Sequence, residues 1–288
     1  MGRGVTVLGI DVPPELFARW VGWISPHRQP FLVRADSELA RLGHEMAPGE
    51  LPMEAQDTFG VWSLPDGVVC RVLDVDEFQA LPRKARAGLV RSQHHLGRWQ
   101  VPSVRAWPSL RERGTAEQGD GHRFLWWPSL LEGVEREAVI PFVEEGVRPS
   151  RHREVPEQVW ADCAAMLPAA RSMGGTFPSS SGPNCFGTVM GAAGVDGAAL
   201  TWMQREPFEA WLADVTVPGG RDDEPGTVLV WRSPAGLVQH AAVTLGDGWA
   251  LHKPSQGWVS PVQVLTVDEV KRASRQPGRR LHRYALRV

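Results

Sequence analysis

A cysteine that opens a helix directly after a Gly/Pro loop is placed for nucleophilic chemistry, and this chain has one at Cys185. The preceding stretch, Gly174-Gly175-Thr-Phe-Pro-Ser-Ser-Ser-Gly-Pro183, is a loop by every breaker rule, and Asn184 can then cap a short helix through Val189 and Met190. Free N–H groups and the positive end of such a helix favour the thiolate and can hold an oxyanion. A thiol nucleophile needs a base, and the base needs a third polar group to fix its tautomer. His240, inside the apolar run Leu237–Leu245, and His252 at the far end of Trp249–Lys253 are the candidates. Gly246-Asp247-Gly248 between these runs reads as a hairpin turn, which folds the two strands antiparallel and sends both histidines to one face.

Other reactive residue types read as structure. Cys70 lies in a valine-rich strand and Cys163 on the apolar face of a helix, so both are expected to be small buried hydrophobes. The three cysteines are far apart with no CxxC pair, which argues against a disulfide framework or a cysteine zinc site. Ser179–Ser181 lack a G-x-S-x-G elbow. His94-His95 have no acidic or cysteine ligand at metal spacing, and Asp74, Asp76 and Glu77 suit a helix start. No metal or cofactor is expected. Of thirteen tryptophans, Trp20, Trp160 and Trp211 sit at core spacing, whereas Trp126-Trp127, Trp249 and Trp258 are candidates for lining a cleft.

The elements that must carry the site follow from periodicity. Val159, Trp160, Cys163, Met166 and Leu167 mark a helix ended by Pro168, and Phe208, Trp211 and Leu212 a second. Strands are expected at Thr227–Trp231, Leu237–Leu245, Trp249–Lys253 and Arg280–Val288, with a capped helix over Thr266–Ser274. The N-terminal part alternates strand-like Val5–Val12, Phe31–Val33, Val68–Leu73 and Phe124–Trp127 with helical stretches after Pro13-Pro14 and over Asp74–Leu96. The polar segment from Pro141 to Pro156 marks the boundary, dividing the chain into an α+β domain over residues 1–150, of undetermined role, and a second domain over 155–288.

The later domain resembles the NlpC-type papain-like cysteine peptidases of bacterial cell-wall peptides. The Gly-Gly loop and Asn-Cys-Phe-Gly-Thr-Val-Met start are similar to that family's Asp-Cys-Ser-Gly-Leu-Val helix start, and Pro225-Gly226-Thr227-Val228-Leu229-Val230 to its Pro-Gly-Asp-Leu strand. His240-Ala-Ala-Val-Thr-Leu-Gly-Asp-Gly-Trp-Ala-Leu-His252 keeps its His-to-His spacing. The resemblance implies a papain-like α+β fold with the cysteine helix packed on an antiparallel sheet. It also implies Cys185 as nucleophile, His240 as base and His252 as orienting residue. Four positions depart from the pattern. Asn184 and Phe186 replace the Asp and Ser beside the cysteine, Thr227 replaces the aspartate of the Pro-Gly-Asp strand, and Arg171 replaces the cleft tyrosine before the Gly-Gly pair. Asn184, Phe186 and Arg171, with Trp249 and Trp258, are the candidate substrate contacts; Arg171 would suit a carboxylate, or is a solvated helix end.

The expected activity is therefore hydrolysis of an amide bond in a small peptide, of peptidoglycan type by resemblance. A transpeptidase or acyltransferase using the same site, or a non-catalytic binding module on the same scaffold, are the alternatives. A net charge of −2 offers no footprint for nucleic acid or an anionic membrane, and no apolar run approaches a membrane span. No leader precedes the first strand, so a reducing cytoplasm is the expected setting, with the oligomeric state open.

Overall fold

The computed structural model describes residues 4–99, 101–112, 114 and 120–287 of the 288-residue chain. It is mixed α+β with antiparallel sheets. Contacts divide it into two compact units: Pro14–Phe142, and a second formed by Gly2–Pro13 together with Val143–Val288. The expected division at residue 150 thus moves to 142, and the N-terminal segment joins the later unit. Val5–Val12 is a hairpin of β1 (Val5–Val7) and β2 (Ile10–Val12), not one strand. Leu8 and Gly9 turn it with φ of 52° and 75°, the left-handed pair that a two-residue hairpin needs. A hairpin this short is marginal alone. It docks through Ser150 N–H to Leu8 O (2.8 Å) and Leu8 N–H to Glu144 Oε1 (3.1 Å), and so joins the later unit.

In the Pro14–Phe142 unit, β3 (Arg28–Arg34), β4 (His44–Glu45) and β5 (Val68–Asp74) form a sheet with β5 in the middle. The stretch Asp74–Leu96 is two helices, Val75–Ala80 and Arg83–His95, because Pro82 cannot continue the first. Asp74 and Glu77 form a capping box at the front of the first, so that carboxylate cluster is structural. Phe124–Trp127 is not a strand; every side chain is enclosed ahead of the Pro128–Leu131 helix, and its backbone is tied by Phe124 N–H to Pro102 O (3.1 Å) and by Gln29 Nε2 donating to Trp126 O. Trp127 packs with Phe31 and Phe78, which makes Trp126-Trp127 core and not cleft.

The other unit is built on a six-stranded antiparallel sheet in the order β10-β9-β8-β7-β11-β6. These strands are β6 (Thr216–Pro218), β7 (Pro225–Arg232), β8 (Val238–Gly246), β9 (Trp249–His252), β10 (Gln263–Thr266) and β11 (Arg280–Leu286). Asp247 and Gly248, at φ 48° and 75°, turn β8 into β9 as the Asp-Gly pair predicts. Alternation gives the sheet two buried faces. Val228, Val230, Ala241, Val243, Leu245, Leu251 and Val264 pack under the helices Glu157–Cys163, Cys185–Ala192 and Arg205–Val215. Leu229, Trp231, Ala242, Ala250 and Leu265 face the Val267–Ala273 helix, whose Thr266–Glu269 capping box matches the sequence reading.

Candidate active site around Cys185, His240 and His252

Cys185 is the first residue of the Cys185–Ala192 helix, where the loop-then-cap pattern put it. Asn184 caps that helix: its Oδ1 accepts the Gly187 N–H at 3.0 Å and its Nδ2 donates to Met203 O at 2.8 Å. The helix sits tightly in its unit because Gly187 has no side chain. A Cβ there would stand 2.3 Å from the carbonyl oxygen of Ala198, inside any allowed contact. The short turn Ala198–Leu200 thereby presses the whole helix into the core.

The histidines come from β8 and β9, and the register brings them together. His252 pairs with Ala242 across the two strands, which leaves His240 and His252 on one face. Their Nε2 atoms are 2.8 Å apart and their rings meet edge to face. His240 also faces Trp231, its direct partner on β7, at a centroid separation of 5.4 Å. Both rings are buried, 6% and 3% exposed. Burial, then the neighbouring His252, then Arg279 hold His240 well below the ordinary imidazole range; burial and Lys253 lower His252 to about 4. At neutral pH the pair is uncharged.

A neutral imidazole carries one proton, so the contact has two possible forms. Either His240 donates from Nε2 and His252 holds its proton on Nδ1, or the roles reverse. His252 Nδ1 has no hydrogen-bond partner in the interior. The first form, which leaves His240 Nδ1 free as a base, therefore carries an unpaired buried N–H.

Cys185 reaches the same stretch of β8 from the other side. Its helix covers the Ala241 face, and the backbone of Ala241, with that of Phe186, favours the thiolate. Ala241 lies one residue beyond the last β8–β9 pair, so the sulfur meets the strand where β9 has left it. The residue contacting the thiol is thus the one after His240, but among the described residues no hydrogen bond joins the sulfur to either imidazole. The thiol is 8% exposed, and burial pushes it up to about 11 despite those backbone groups and Lys253. The expectation that the helix start favours thiolate is corrected: desolvation outweighs it in this conformation.

The proposed substrate contacts fare differently. Arg171 is at the surface with its guanidinium taken up by Glu157, both ends of whose carboxylate it engages, so it is a helix-end ion pair. Both ends of the Asn184 amide are committed to backbone groups. Phe186 stacks on Phe208 at 4.6 Å in the core. Trp258 is fully buried, its backbone N–H donating to Ser181 Oγ at 3.2 Å, and Trp249 lies under the Arg151 guanidinium at 4.9 Å. None of the five lines the cavity beside the histidines.

The reading from sequence passed over four residues that flank the histidines. A cavity of about 290 Å³ has both rings in its wall together with Arg148, Gln263, Ser274 and Arg279. Lone arginines and glutamines scattered over the chain carry no spacing signal, so only the fold could assemble them. Cys70 and Cys163 are buried and free as expected, and no cluster of potential metal ligands occurs among the described residues. Among those residues no helix is long and apolar enough to cross a membrane. Compared with known proteins, the chain matches no family model, no curated protein and no solved structure.

Proposed function

We propose that the unit containing Cys185 is a papain-like thiol hydrolase of NlpC type that cleaves an amide bond in a small peptide. The observation that carries this reading is the 2.8 Å His240–His252 contact beside the backbone position at which a capped helix delivers Cys185. In this reading His240 removes the Cys185 proton as the sulfur attacks the amide carbonyl, giving a tetrahedral oxyanion that N–H groups at the helix start stabilise. The C–N bond then breaks, the amine leaves with the proton from His240, and water hydrolyses the thioester. His252 holds the His240 ring in orientation. With the thiol raised to about 11 and both imidazoles uncharged, attack and proton transfer are concerted instead of starting from an ion pair. Because His240 lies on the Trp231 and Ala242 face of the sheet and Cys185 on the Ala241 face, this reading requires β8 to rearrange around His240, beyond its last pair with β9, so that the sulfur and His240 Nδ1 meet.

Cys185→Ala should lose acyl-enzyme capture and turnover on a library of wall-type peptides and amides, read by intact mass, with an unchanged circular dichroism spectrum. A folded, active variant would refute the reading. A binding module on the same scaffold is the second reading, favoured by the thiol's burial. Alkylation by iodoacetamide at neutral pH separates them: rapid, selective labelling of Cys185 supports the hydrolase, and an inert thiol supports the module.

A further inference from the structure

The cavity beside the histidine pair is built from donors. Its wall includes the guanidinium-bearing Arg148 and Arg279, the imidazoles of His240 and His252, and the Ser274 hydroxyl. None of the residues forming it is an aspartate or glutamate. Two of its wall residues, His252 and Ser274, each carry an enclosed polar atom, Nδ1 and Oγ, that has no hydrogen-bond partner. Buried polar atoms are almost always paired, so two of them on one wall point to a group that the protein alone does not provide. At about 290 Å³ the space suits a few-atom head group and not a bulky ligand.

We propose that this cavity is an oxyanion-binding site, taking a carboxylate or phosphoryl group on a small molecule. Arg279 and Arg148 supply the charge, and the oxygens accept from Ser274 Oγ–H and His252 Nδ1–H once those side chains turn from their enclosed positions toward the cavity. Arg279 already acts on His240 electrostatically, which puts its charge within reach of the rings. An acceptor at His252 Nδ1 fixes the proton there, and His240 must then donate from Nε2 across the 2.8 Å contact. Ligand binding would therefore select one tautomer of the pair. The site uses neither Cys185 nor its helix but shares His240 and His252 with the hydrolase reading, and a binding readout lets it stand or fall without that activity.

The test is a titration of the intact chain with inorganic phosphate and, in separate arms, with acetate and succinate. Binding is read as the melting temperature and as the side-chain nitrogen resonances of His240 and His252. A saturable rise in melting temperature with a shift of His252 Nδ1 is expected, from phosphate if the group is phosphoryl or from the acids if it is carboxylate. Arg279→Gln and Ser274→Ala should each weaken the response about tenfold, and Cys185→Ala should leave it intact. No saturable response to any of the three, or an equal response in both cavity variants, overturns the proposal. Loss of the response in Cys185→Ala overturns the independence of the site.

Discussion

The two units treat their buried polar atoms in different ways. In the Pro14–Phe142 unit they serve β3: Gln93 gives Oε1 to the Leu32 N–H (2.7 Å) and Nε2 to the Leu32 carbonyl (2.9 Å). Arg98 donates to Pro30 O at 2.6 Å and to Gln29 Oε1 at 2.7 Å. What stays unpaired there is shut among rings, Arg98 Nε between Phe59 and Phe31 and Trp127 Nε1 beside Phe31 and Phe78. In the unit carrying Cys185 the unpaired His252 Nδ1 and Ser274 Oγ share the wall of one cavity. An unpaired atom enclosed by aromatics is a cost of packing; two on residues that line one acid-free cavity are what the oxyanion proposal draws on.

That contrast can be broken experimentally, most severely at the helix. Gly187→Ala puts a methyl 2.3 Å from the Ala198 carbonyl oxygen and should cost about 4 kcal/mol. Hydrogen exchange should show the loss confined to the Cys185 unit; an equal loss of protection in Pro14–Phe142 would mean that the two do not respond separately. The counterpart is Arg98→Met, which strips donors from Pro30 O and Gln29 Oε1 and should cost about 3 kcal/mol in urea unfolding. Burial lowers the Arg98 guanidinium to about 9, so it is still charged at neutral pH, and a neutral replacement that left stability unchanged would show that its hydrogen bonds are not what β3 needs.

Acidification should separate the units by a smaller margin. The folded pKa of His252, about 4, lies below its unfolded value near 6.5, so the unfolded chain binds the proton first and stability falls as pH drops through that interval. The loss by pH ~4.5 should be about 2.5 kcal/mol from this ring alone, appearing as faster exchange in β8 and β9. The expectation fails if β3 and β5 open first. Smallest of all, Ser274→Ala should change stability by less than about 0.5 kcal/mol, because its hydroxyl makes no hydrogen bond inside the protein. A clear destabilisation in differential scanning calorimetry would show that the hydroxyl has a structural partner.

Local rules carried the reading of sequence a long way. The Asn184 cap, the Asp247-Gly248 turn, the Thr266 capping box and the His240–His252 register all depend on near neighbours or one tight hairpin, and all are in the structure. What was illegible depends on distant chain segments. Gln263–Thr266 becomes a strand because β9 offers it an edge. Phe186 and Trp258 look like cleft residues in a string of letters, yet Phe186 stacks on Phe208 and Trp258 is fully buried. The thiol's raised pKa is likewise a property of the packing around Cys185, which no motif encodes.

The N-terminal hairpin has a consequence for how the molecule is made. Its partners, Glu144 and Ser150, are synthesised more than a hundred residues later than Leu8. During translation β1 and β2 must wait, exposed, while Pro14–Phe142 emerges and folds as a complete insert. The long connection is then already compacted when Val143 onward arrives, so closing the unit joins ends held near one another and not a loop of free chain. The chain's threading thus means that the unit containing Gly2–Pro13 can be completed only after all of Pro14–Phe142 has been made.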